Sequence, residues 1–135
     1  MLEPLDINGE QPNLAGLSCA ELLCQEFWCR GEICDRANGI YLKFGETWHR
    51  LYFDCGIVFW RPNDRRPEEW SADEEGWRYP LVDVAAKFSL KEEVLDRVET
   101  ESIEGGSRVS LFFRIGSRLV FENVADRSTY YYQGR

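Results

Sequence analysis

Apolar positions fall on a helical period near the amino terminus and on a period of two almost everywhere after it. Between residues 18 and 30, Ala20, Leu23, Cys24 and Phe27 recur at three- and four-residue steps, the spacing of one helix face. Ser18 and Glu21 make a capping-box pair, Leu17 can staple onto Leu22, and Gly31 stands where such a helix would stop. The pattern predicts a helix over 18–30. From Glu32 the alternation predicts short strands at 33–36, 40–44, 48–53 and 57–61, broken at Asn38-Gly39, Gly45-Glu46 and Asp54-Cys55-Gly56, where glycine supplies the positive φ of tight hairpins. Ile40, Leu42 and Phe44 share one strand face, as do His49, Leu51 and Phe53. Residues 57–60 are apolar on both faces, which predicts a central strand.

The second half repeats the spacing. Gly45, Leu51, Phe53 and Gly56 align with Gly105, Leu111, Phe113 and Gly116 sixty residues on, the mark of an internal duplication. A short helix at 83–88 would match the first one. Residues 90–98 carry two readings, a helix capped by Ser89 and Glu92 or a strand demanded by the repeat. Val109, Leu111 and Phe113 alternate, as do Leu119 and Phe121; a three-residue loop at 115–117 would set Phe113 against Leu119 on a shared face. A last edge strand is expected at 129–132. Together these elements predict an α+β fold: one domain over 1–135, with a loose arm at 1–13, two similar helix-plus-antiparallel-meander units at 18–61 and 81–133, and a loop at 62–80 between them.

Composition sharpens this. With 135 residues, 44% hydrophobic and 30% charged, the chain can bury a sizeable core. A net charge of −8 disfavours nucleic acid and anionic membranes as partners and favours a basic protein. The first thirteen residues lack a signal-peptide pattern, and no apolar run reaches membrane-spanning length. A cytoplasmic location and reduced thiols are the expectation.

The candidate chemistry is thin. Cys19, Cys24, Cys29 and Cys34 recur every fifth residue, a step that scatters thiols around a helix and lacks the close pairs zinc requires. No metal or cofactor site is expected. His49, Asp54 and Cys55 are the one set resembling a base and a nucleophile, which would need the His49 imidazole within hydrogen-bonding reach of the Cys55 sulfur. No catalytic or phosphate-binding signature accompanies them.

The loop at 62–80 stands out instead. Glu68, Glu69, Asp73, Glu74 and Glu75 are interleaved with Trp70, Trp77 and Tyr79, acids to steer a cationic partner and rigid rings to anchor it. The bland alternative is that both tryptophans fold back over a sheet. The composition points to a non-catalytic protein-binding module, most concretely an acidic inhibitor or immunity-type protein that neutralises a basic toxin or nuclease. The other readings are a β module holding a small ligand between its two units, and an enzyme using His49 and Cys55.

Overall fold

The computed structural model describes residues 2–135. It is 62% strand and 3% helix, arranged as two sheets, so the expected α+β architecture of helix-plus-meander units is overturned. The strands are β1 (Ile7–Asn8), β2 (Cys19–Cys29), β3 (Glu32–Phe44), β4 (Thr47–Asp54), β5 (Ile57–Asn63), β6 (Trp70–Ala72), β7 (Trp77–Tyr79), β8 (Leu81–Asp83), β9 (Leu95–Ile103), β10 (Gly106–Phe113), β11 (Arg118–Val124) and β12 (Arg127–Gln133). The larger sheet runs β1-β5-β4-β3-β2-β7-β6, with β8 also on β2; the smaller runs β12-β11-β10-β9.

The expected first helix is β2. Burial overrides local helix signals here: Leu22 and Cys24 face the interior against Leu42 and Ile40, while Leu23 and Gln25 are buried on the other side. A strand packed on both faces reads as a continuous apolar run, which periodicity cannot separate from a helix. Ala20 is an extra residue between the Cys19–Phe44 and Glu21–Lys43 pairs, and this bulge turns both Cys19 and Cys24 inward. Ser18 caps nothing; its carbonyl accepts the Gly45 N–H at 3.1 Å.

Asn38-Gly39 is likewise no hairpin. The two expected strands at 33–36 and 40–44 are one strand, β3, whose pairing with β2 shifts between Gln25 and Phe27 and again between Phe27 and Trp28. These irregularities bend β3 towards the smaller sheet, where the Asp35 carboxylate accepts the Ser128 N–H of β12 at 2.7 Å. The short helix α1 (Val84–Lys87) does form, with Asp83 accepting the Ala86 N–H at 3.0 Å. Of the two readings of 90–98 the helix does not form: residues 90–94 turn into β9, and residues 95–98 are its first four, as the strand reading expects. Ser89 and Glu92, read as a second capping pair, adopt positive φ in that turn.

Leu51 on β4 and Leu111 on β10 are both fully buried, but in different sheets. Their hairpins differ: Cys55 and Gly56 alone join β4 to β5, whereas Phe113 and Ser117 close three residues, 114–116, with Gly116 at φ +96°. The three-residue loop therefore starts one residue earlier than expected, and Leu111 faces Leu119 while Val109 faces Phe121. One core spans both sheets: Leu22, Ile40, Leu51 and Trp60 from the larger meet Val109, Leu111, Leu119 and Phe121 from the smaller, and Val84, Ala85 and Leu90 join the same cluster.

Of the amino-terminal arm, Ile7 and Asn8 pair in parallel with Val58 and Phe59, so β5 lies one strand inside the edge. Among the described residues no helix is long and apolar enough to cross a membrane.

Candidate functional site

The stretch at 62–80 is built rather than structureless. β5 and β6 lie near opposite margins of the larger sheet, so residues 64–69 must cross the sheet as a strap. They cross its outer face: Arg66 pairs with Glu21 at 2.9 Å, Glu69 accepts the Leu81 N–H at 2.7 Å, and Pro67 lies with Leu23 along one cleft. Beneath the strap is a second small core of Leu23, Tyr41 and Trp48, with Leu81 packed on it.

Beyond the strap the chain folds into a β6–β7 hairpin that lengthens the sheet. Its turn is closed by Glu75 N–H to the Ala72 carbonyl and Gly76 N–H to the Asp73 carbonyl, both at 3.1 Å, with Gly76 at φ +72°. Trp77 and Arg78 pair with Cys29 and Trp28 on β2. Pro80 cannot donate to the ladder, but its carbonyl accepts the Glu26 N–H at 2.9 Å, which joins β7 and β8 into one line along β2.

This geometry sorts the residues singled out from sequence. Trp70 stands opposite Tyr79, their rings stacked with centroids 4.0 Å apart and planes 10° apart. Tyr79 stacks in turn on Phe27 at 5.0 Å, and Trp77 meets Phe27 edge-on at 6.1 Å. The four rings form a cross-strand cluster, a geometry that contributes beyond buried area alone. Trp70 remains 51% exposed and Trp77 38% exposed, so neither is simply folded away. Asp73, Glu74 and Glu75 are exposed at the hairpin turn, and Glu68 is exposed on the strap. Glu69 is set apart, because its carboxylate ties the strap to β8.

Phe27, Gln25 and Tyr41 belong to the site and were missed. The helical period puts Phe27 on a helix face with Ala20 and Leu23; in strand β2 it stacks on Tyr79 instead. Gln25 and Tyr41 line a cleft of about 320 Å³ between sheet and strap, with Asn63, Asp64, Arg65, Arg66, Glu68 and Trp70 around it. Open clefts also lie between the two stretches expected as units, one of about 340 Å³ between Ile33–Arg36 and Arg127–Thr129 and one of about 460 Å³ between Cys55–Ile57 and Gly105–Gly106; the strap cleft lies on an outer face instead.

The remaining chemistry does not assemble. His49 lies towards the start of β4 and Cys55 in the turn after it; six residues of strand separate them by roughly 20 Å. Burial pushes the His49 pKa down. The Cys55 thiol is pushed up by its hydrogen bond to Asp54 and by the charges of Asp126 and Asp54, the reverse of what a nucleophile needs. Asp54, Cys55 and Asp126 could bring one ligand atom each within 4.8 Å of the others, all exposed. Cys19 and Cys24 are buried in the core, and burial raises both thiols, Cys19 to about 12. Comparison with protein-family models, with curated proteins and with solved structures finds no match for this chain.

Proposed function

We propose that the chain is a non-catalytic protein-binding module whose β6–β7 hairpin docks onto a basic protein, in the manner of an acidic inhibitor or immunity-type protein that occludes a cationic surface. The observation that carries this reading is the placement of two half-exposed tryptophans on a braced hairpin beside an acidic turn. Rings already fixed by stacking lose little side-chain freedom on binding, and carboxylates at the tip act on an approaching cation before contact. The net charge of −8 extends the attraction over the whole molecule.

The test is affinity capture of the partner followed by binding kinetics at two ionic strengths. Trp70→Ala or Trp77→Ala should chiefly speed dissociation, by on the order of 2 kcal/mol for a ring buried at the interface. Neutralising Glu68, Asp73, Glu74 and Glu75 together should chiefly slow association and flatten its salt dependence. Glu69 is left intact because its carboxylate holds the strap. A captured partner that binds all these variants like the wild type would place the interface elsewhere and end this reading.

A further inference from the structure

The cleft beneath the strap has a chemistry separate from the acidic hairpin tip. Its floor is polar and deeply set: Gln25 is 7% exposed and Tyr41 8% exposed, yet both line the opening. The Gln25 carboxamide oxygen accepts from Asn38 Nδ2 at 3.3 Å, and no protein acceptor takes the amide N–H groups among the described residues. Room for these side chains comes from Gly39. A Cβ there would stand 3.2 Å from the Tyr41 ring and 3.4 Å from the Gln25 oxygen, so the glycine lets the tyrosine lie across the strand.

The walls add one aromatic surface and balanced charge. Tyr79 covers one face of the Trp70 indole, and Trp70 contributes open ring surface to the cleft. Two acids, Asp64 and Glu68, are matched by two bases, Arg65 and Arg66, and Arg66 is already engaged by Glu21 at 2.9 Å. Such a lining favours neither a cation nor an anion. It offers carboxamides and a phenol that both donate and accept, with Asn63 Nδ2 already giving one N–H to the Arg65 carbonyl at 2.7 Å, plus further acceptors and donors around the rim. Hydroxyl groups have the same dual character, and the C–H face of a pyranose suits the electron-rich face of an indole. A volume of about 320 Å³ is at the small end for small-molecule sites, which run from about 300 to 1,000 Å³. From this juxtaposition we infer that the strap cleft is a binding site for a neutral sugar ring, stacked on Trp70 and hydrogen-bonded through Gln25, Tyr41 and Asn63.

The site shares Trp70 with the protein-docking reading but needs no protein partner, so the two succeed or fail separately. The experiment is an NMR titration of the full chain with neutral sugars, namely glucose, galactose, mannose, N-acetylglucosamine and their β-linked disaccharides, with glucuronate and glucosamine as charged controls. At least one neutral sugar should shift the Trp70 indole and Gln25 side-chain amide signals. Trp70→Ala should weaken that binding by about tenfold, the loss of one stacked ring. Gly39→Ala, which pushes Tyr41 and Gln25 into the cleft, should weaken it as well. Glu99→Gln on the far sheet should leave it unchanged, and melting curves identify any variant that fails to fold. The inference is overturned if no neutral sugar binds wild type at about 20 mM, well above the millimolar dissociation constants expected of so small a contact. It is equally overturned if only a charged sugar binds, or if the shifts map away from the cleft.

Discussion

On the outer face of the smaller sheet, Arg108 reaches its neighbour Glu101 on β9 at 3.0 Å and its neighbour Glu122 on β11 at 2.6 Å. Arg97 contacts Asp96 and Glu99 at 2.9 Å each, with its guanidinium 3.9 Å above the Phe112 ring. On the outer face of the larger sheet, Arg50 lies 4.6 Å over Tyr52 without a carboxylate, and its Nε is buried with no hydrogen-bond partner. A chain segment, a second core and a polar-floored cleft also occupy that face. One face answers its charges within and between strands; the other, apart from the Arg66–Glu21 pair of the strap, buries apolar rings and keeps hydrogen-bonding capacity in reserve. Polar groups held this way are costly to a fold unless something repays them, so recognition is more reasonably sought on the larger sheet.

The largest expected contrast is in stability. Trp48 is buried beneath the strap and Phe112 is half-buried under arginines. Trp48→Ala should cost about 3–5 kcal/mol, as for a large core ring, and Phe112→Ala about 1–2 kcal/mol for its partial burial. Denaturant unfolding measures both, and equal losses would mean that the strap adds no second core. Trp70→Ala comes next. With half its surface already open, it should lower stability by about 1 kcal/mol through lost stacking, and on the proposed function it should weaken partner binding far more than it weakens the fold. A loss of stability as large as that of Trp48→Ala would make the ring structural.

Why these contrasts were only partly visible in the sequence is a matter of burial. β4 and β10 were legible because each has one core face and ends at a glycine-bearing turn, so alternation survives in Leu51-Phe53 and Leu111-Phe113; β5 and β11 were legible as the apolar runs that follow those turns. β2 was not, because Leu22 to Gln25 are buried on both faces and Ser18 and Glu21 mimic a helix cap. Asn38-Gly39 has turn chemistry, but β2 pairs on through it with a bulge, and the glycine serves a close approach. β6 and β7 are three residues each, too short to show a period among so many charges. The aromatic and acidic character of 62–80 was readable. That Trp70 stacks on Tyr79 was not, since it depends on two four- to six-residue connections closing in one register.

The two arginines offer a finer test. Arg108→Met removes a network that is exposed at Glu101 and half-buried at Glu122, and should lose about 1 kcal/mol, a loss that shrinks in high salt. Arg50→Met keeps much of the side-chain volume against the tyrosines and relieves a buried N–H with no acceptor, so stability should hold or rise, with no salt dependence. If Arg50→Met is the more damaging of the pair, its stacking on Tyr41 and Tyr52 outweighs the missing hydrogen bond.

The smallest effect tests one of the places where the two sheets are tied, alongside the Cys55 and Gly56 N–H groups donated to Asp126 and Asn123. Asp35 on β3 accepts the Ser128 N–H of β12, and its pKa is raised, first by burial, against the lowering effect of that hydrogen bond; Asp126 adds to the rise and Arg127 opposes it. A carboxyl whose folded pKa exceeds its unfolded one binds its proton more tightly in the native state. The wild type therefore gains stability from this group as pH falls through the carboxylate range, and loses it as pH rises and the group ionises. Asp35→Asn keeps an oxygen for the Ser128 N–H and cannot ionise. It should match or exceed wild-type stability at neutral pH, with the advantage fading below about pH 3, where both versions are uncharged. Melting temperatures of the two proteins across that range decide the point. If the Asn variant is instead the weaker at neutral pH and the gap closes on acidification, the ionised carboxylate is what holds the sheets together, and the hydrogen bond to Ser128 outweighs burial.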